Sequence, residues 1–177
     1  MRIFIFLFFV INLCFSFDLK SINNIKADFI QITTSDNNKI EYSGNAVITK
    51  GYKSYYEYTK PIKKQVFINE KEIIVYEPHL SQAIIFDSKR KGLVDVLNNA
   101  KIEGDRIISH IDDMTFFVSL DSNDMPQKIE YIDNLDNKIE IILKNVKINT
   151  DINENIFIFN APQKTDIIHS NANFFQQ

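Results

Sequence analysis

The chain of 177 residues has no tryptophan, one cysteine, four glycines and four prolines. With so little glycine there is no phosphate-cradling loop and no nucleophile elbow, since Gly44, Gly51, Gly92 and Gly104 stand far apart. The one thiol, Cys14, lies near the amino terminus, which leaves the remainder without a cysteine nucleophile or a disulfide. Histidine is also scarce. His79, His110 and His169 are isolated, and none has a second ligand type at metal spacing, so neither a metal nor any other cofactor is expected. Charge of one sign is lacking too. Twenty basic residues face 23 acidic ones, a net of −3, and no basic face is available for nucleic acid. The carboxylates alternate with apolar neighbours, as at Glu130 between Ile129 and Tyr131 or Glu140 between Ile139 and Ile141. Such carboxylates point to water from an antiparallel sheet. No catalytic residue emerges, and the serines lack a recognisable partner histidine. The reading is a protein that is not an enzyme.

The amino terminus has its own pattern. Arg2 supplies one positive charge, Ile3 to Leu13 is apolar apart from Asn12, and Cys14-Phe15-Ser16 ends in a small residue. This is the layout of a secretory signal peptide, and residues 1–16 are assigned to it. The apolar run falls short of the ~20 residues of a spanning helix. Ile11-Asn12-Leu13 does not place a small residue before Cys14, as a lipoprotein signal requires. Residues 17–177 remain as one domain, sent to a compartment where disulfides persist yet containing no cysteine.

From Asp18 to Gln31 the apolar residues Leu19, Ile22, Ile25, Phe29 and Ile30 fall at helical spacing, with Asp18 or Ser21 placed to cap the start. Thr34 to Asn38 is a loop. The period then changes to two. Ile40, Tyr42, Val47 and Thr49 alternate with polar residues, as do Tyr56 and Tyr58, and Val66 and Ile68, or Phe67 on the other face, continue the pattern. Ile73 to Tyr76 and Ser81 to Phe86 are further strands. Breaks at Gly51, Pro61, Asn69-Glu70 and Pro78 recur about every ten residues, the rhythm of an antiparallel meander. Gly92 to Asn99 is a short helix with Leu93, Val96 and Leu97 on one stripe. Strand patterns resume at Ile107-Ile108, Met114 to Leu120, Lys128 to Ile132, Lys138 to Ile148 and Ile156 to Phe159. The polar tail from Gln163, apart from Phe174-Phe175, is expected to be poorly ordered.

Aromatic residues are plentiful, with fifteen phenylalanines and seven tyrosines. They either pack an ordinary core or line a cavity for an apolar ligand, and the residues alone leave both readings open. Several stretches nevertheless resemble one family, the LolA outer-membrane lipoprotein carriers. They are A27-D-F-I-Q31, G44-x5-K50, the tyrosine strand ending at Pro61, V75-Y-E-P-x-x-S-Q-A83 and F157-I-F-N-A-P162.

The resemblance implies a mainly β fold with two or three helices (α+β), an incomplete antiparallel barrel whose helical lid encloses an apolar cavity. It also implies a monomeric periplasmic chaperone. Its partners would be acylated lipoproteins, an inner-membrane ABC-type transporter that releases them, and an outer-membrane acceptor. On that basis Tyr56, Tyr58, Phe67, Val75, Phe86 and Phe116 line the cavity. Leu19, Ile22, Ile25 and Phe29, with Leu93, Val96 and Leu97, form the lid. The family's latch arginine is replaced by Lys50, whose rotatable ammonium makes a weaker latch than a planar guanidinium. The alternative readings are an envelope lipid or lipoprotein sensor, and a membrane-anchored acceptor of the same fold. A hydrolase is the third.

Overall fold

A computed structural model describes residues 18–36, 38–87, 92–111 and 113–170. The proposed signal peptide and Phe174-Phe175 lie outside the described residues.

The period-two segments form one sheet. In chain order its strands are β1 (Asn24–Ser35), β2 (Asn38–Thr49), β3 (Ser54–Lys60), β4 (Lys64–Ile68), β5 (Glu72–Glu77) and β6 (Gln82–Asp87). After helix α1 (Leu93–Asn98) come β7 (Lys101–Glu103), β8 (Arg106–Ile111), β9 (Met114–Leu120), β10 (Pro126–Ile132), β11 (Lys138–Ile148) and β12 (Asp166–Ser170). The spatial order is β12-β6-β5-β4-β3-β2-β1-β11-β10-β9-β8-β7, so the sheet is open, with β12 and β7 at its edges. Neighbours pair antiparallel, except that β12 runs parallel to β6.

The sheet is strongly curled. Four strands separate β2 from β8, which in a flat sheet would stand roughly 24 Å apart. Helix α1 has six residues and is only about 9 Å long, yet it touches both strands. Val94, Val96 and Leu97 are buried, so most of the helix surface is packed rather than one stripe. The concave side of the sheet holds the main core. There Ile25, Ala27 and Phe29 of β1 meet Ala46 and Ile48 of β2, Phe116 and Val118 of β9, Ile129 of β10 and Leu143 of β11.

The first predicted helix is not present. Leu19–Ser21 makes a single 3-10 turn capped by Asp18, and Ile25 and Phe29 lie in β1. The spacing was ambiguous. Ile22, Ile25 and Phe29 fit a helix, but Ile25, Ala27, Phe29 and Gln31 fit one face of a strand equally well. Pairing decides, because β1 sits between β2 and β11 and is bonded along both edges. The β-branched residues Ile30, Ile32, Thr33 and Thr34 favour the same outcome. The described residues therefore hold one α-helix, not two or three.

The carboxyl-terminal region also differs from expectation. Glu154–Phe157 is a 3-10 turn rather than a strand, with the Asn153 side chain accepting from the Asn155 amide. Part of the supposedly disordered tail is β12, whose start is fixed where the Asp166 amide donates to the Ser81 carbonyl at 2.8 Å. Between them, Phe159 crosses the convex side and packs on Phe67 and Tyr76, both at 5.3 Å between ring centres.

Candidate functional site

Pairing in register puts directly opposed residues on the same side of a sheet. Across β2 to β6 the concave side therefore reads as rows. One row joins Ile48, Ser54, Ile68, Ile73 and Phe86, and the next joins Ala46, Tyr56, Val66, Val75 and Ile84. Val66, Ile73, Val75 and Phe86 are buried and pack with Tyr56, Tyr58, Ile68 and Ile84. Tyr56 and Tyr58 also border the β1 and β9 core, which makes the apolar concave surface continuous from β11 to β6. Phe29 stands edge-on to both tyrosines, at 6.1 and 5.0 Å. Gly44, paired with both Phe29 and Tyr58, makes this contact possible. A Cβ at position 44 would overlap the Glu57 carbonyl oxygen and lie 2.8 Å from the Glu57 carbonyl carbon.

A third row is polar. It contains Tyr58 and Lys64, which pair directly, and Gln31 and Tyr42 stand beyond it. The Tyr58 hydroxyl donates to Gln31 Oε1 at 3.1 Å, and Tyr42 meets Tyr58 edge-on at 6.0 Å. The Lys64 ammonium lies over both rings, 4.5 Å from the centre of Tyr58 and 5.3 Å from that of Tyr42. Desolvation lowers the Lys64 pKa, and Glu77 opposes the shift. Burial pushes the Tyr56 hydroxyl up to about 12. Burial also raises Tyr58, reinforced by Tyr56, Tyr131 and Tyr42; that Tyr131 of β10 acts on Tyr58 of β3 reflects the curl.

Helix α1 is tied at the other end of the rows, where Gly92 lies close to Ser54, Gly51 and Ile48. The Asp95 carboxylate accepts from the Gly92 amide at 3.0 Å and the Gly51 amide at 3.3 Å. Asn98 Nδ2 donates to the Ile22 carbonyl at 3.0 Å. The sequence reading missed both residues. Asp95 did carry a signal, standing three residues after Gly92 as the acidic member of a capping pattern does.

Of the expected lining residues, Tyr56, Tyr58, Val75, Phe86 and Phe116 come together on the concave side, with Phe116 packed 4.9 Å from Tyr131. Phe67 does not. It follows Val66 in a strand, so it faces the convex side, where it packs with Ile74, Tyr76, Ala83 and Phe159. Of the expected lid residues, Leu93, Val96 and Leu97 are in α1 and Leu19 is in the 3-10 turn beside it. Ile22 is buried just after that turn, while Ile25 and Phe29 belong to the sheet itself. Lys50 is exposed, and its backbone amide donates to the Asn23 carbonyl at 2.8 Å. Asp95 and Asn98 are the residues that bond α1 to its surroundings.

A hollow of about 680 Å³ lies at β8 to β10, bordered by Arg106, Phe117, Glu130 and Lys138. A second, about 290 Å³, lies beside Phe157 and Phe159. Neither includes the rows from Ile48 to Phe86. Among the described residues no cluster of three or more histidine, cysteine or acidic side chains is arranged to hold a metal.

A curled, open antiparallel sheet with an apolar inner face and a short helix tied across one end defines a half-barrel binding fold. A solved protein of the same fold, an uncharacterized conserved protein from Thermus thermophilus, aligns with a TM-score of 0.53 at 12% identity. That alignment covers 86% of this chain and 94% of the other. The family described as "Outer membrane lipoprotein carrier protein LolA" matches residues 20–98. An outer-membrane lipoprotein carrier protein of Wolinella succinogenes is 30% identical over 154 residues, covering 84% of this chain and 88% of its own. One from Campylobacter jejuni is 29% identical over 169 residues, covering 94% and 98%. The chain belongs to the outer-membrane lipoprotein carrier family.

Proposed function

We propose that this protein is a periplasmic chaperone that takes the acyl chains of lipoproteins into its concave face. It receives them from an inner-membrane ATP-driven transporter and delivers them to an outer-membrane acceptor. Residues 1–16 serve as the signal peptide, and the remaining chain works as a monomer. The observation that carries this reading is the continuous apolar surface from Ile25 and Ile48 to Val75 and Phe86, with a helix held at its end by few hydrogen bonds. Family membership points to the cargo.

Energetics favour a site that is partly filled when empty. Each buried methylene of an acyl chain contributes roughly 0.8 kcal/mol. Several long chains, fully desolvated, would bind far too tightly to leave again. A carrier whose own side chains occupy the concave face must move them and α1 to admit cargo. The free energy of that rearrangement offsets the gain and keeps affinity between those of donor and acceptor. On this reading Tyr56, Tyr58, Val75, Phe86 and Phe116 contact the chains, and Leu93, Val96 and Leu97 are displaced with α1.

Native mass spectrometry of the protein purified from periplasm tests the reading. A bound species with the mass of an acylated lipoprotein is expected, and depletion should strand lipoproteins in the inner membrane. Normal sorting in depleted cells, with no such complex, rules the proposal out.

A further inference from the structure

The polar third row sets one end of the concave face apart. Lys64 projects from β4 to the same side as Val66 and Ile68, so a single strand runs from an ammonium past the buried Val66 to the half-buried Ile68 in four steps, roughly 13 Å. Among the described residues no carboxylate lies within ion-pair distance of the ammonium. Glu77 acts on it only at longer range, and its own carboxylate lies 3.8 Å from His79 Nε2. The rings of Tyr58 and Tyr42 hold the cation in place by their faces. Ring faces do not satisfy three N–H donors. A half-buried ammonium without a carboxylate partner carries part of the cost of desolvation, and such groups concentrate at functional sites.

We propose that Lys64, framed by Tyr58, Tyr42 and Gln31, receives the oxygen-bearing end of a fatty acyl chain, an ester carbonyl or a carboxylate, while the hydrocarbon lies over Val66, Val75, Ile73 and Phe86. The inference rests on the carrier reading and deepens it by giving the cargo a direction: head at the Lys64 row, tails toward Ile73 and Phe86. Carbonyl oxygens accept hydrogen bonds but cannot donate them, so a site offering donors beside an apolar wall matches the junction between a head group and its chains.

Three fluorescent probes test this on the purified protein: a conjugated polyene fatty acid, its methyl ester, and diphenylhexatriene, which has no oxygen. Lys64→Met keeps the apolar stem and removes the ammonium. It should weaken binding of an oxygen-bearing probe about tenfold, the loss of one charge-assisted hydrogen bond, and change diphenylhexatriene by less than about twofold. Lys64→Arg should restore most of the loss. The melting temperature of Lys64→Met should change little, since relief of the partly desolvated charge is offset by loss of the two ring contacts. Lys64→Gln, measured alongside, guards against a misfolded methionine variant. Weakening for acid and ester alike assigns the row to the glyceride ester of a lipoprotein, and weakening for the acid alone assigns it to a free fatty carboxylate. Equal effects on all three probes, or on none, overturn the assignment while leaving the carrier reading intact. Failure of the wild type to bind any probe overturns both.

Discussion

Gly44 shows how one missing side chain shapes the site. Its pairing partners, Phe29 on one strand and Tyr58 on the other, are large and packed edge-on over it. The strands β2 and β3 change register between Ser43 and Gly44, and this brings the Glu57 backbone into the space a Cβ would need. The obstacle is backbone, which yields less easily than a flexible side chain. Gly44→Ala should therefore cost about 2 kcal/mol, read as a melting temperature lowered by roughly 4–8 °C. An unchanged melting temperature would mean that the register shift is not set by this residue. Residue-level reading of the sequence did well where chemistry is local, as in bringing Tyr56 and Tyr58 to one face. It failed at Phe67, because alternation says only that Phe67 opposes Val66. Which side is concave depends on strands far away in sequence.

Among elements, α1 was legible because Leu93, Val96 and Leu97 stand at helical spacing with no competing strand partner. The segment from Asp18 to Gln31 was misleading, because its apolar positions satisfied two periods at once. Two long-range edges settled it. Helix α1 is short, and an isolated helix of six residues is unstable in water. It persists through its packed face and through Asp95 and Asn98. Asn98→Ala removes the bond to the Ile22 carbonyl, a change of about 1 kcal/mol. Opening of the helix should become about fivefold more frequent, seen as faster amide hydrogen exchange from Val96 to Ala100. Protection at Ile129, in the middle of the sheet, should stay as it was. Equal exchange in α1 of both proteins would show that the side-chain bond does not hold it.

Over the whole molecule, the sheet carries two separate apolar layers. The V75 to A83 and F157 to P162 motifs meet on the convex side, where Tyr76 and Ala83 pair across a hairpin and Phe159 covers Tyr76 and Phe67. Two of the stretches that carry the family resemblance therefore contribute to the outer support of the sheet, through Tyr76, Ala83 and Phe159, while Val75 of the first turns to the concave face. The A27 to Q31 motif and the tyrosine strand meet on the inner face instead, through Phe29, Gln31, Tyr56 and Tyr58. Phe159→Ala should destabilise the protein by about 1–3 kcal/mol, because it removes contacts with two rings. Binding of an acyl probe should stay within about twofold, since distant sites act independently. A matching loss of binding would show that the carboxyl-terminal segment and the concave face are coupled.

The amino-acid order by itself determined the strands and turns from Asn38 to Phe86, the helix after Gly92 and the family to which the chain belongs. These follow from local periodicity, turn residues and motif spacing, all of which act over a few positions. The tertiary structure decided the strand state of Ile25 to Phe29, the parallel docking of β12, the outward aim of Phe67 and the placing of Lys64 over two tyrosine rings. Each depends on contacts between segments distant in sequence. Alternation along a strand says which residues share a face, but only the curl of the sheet makes one face the inside.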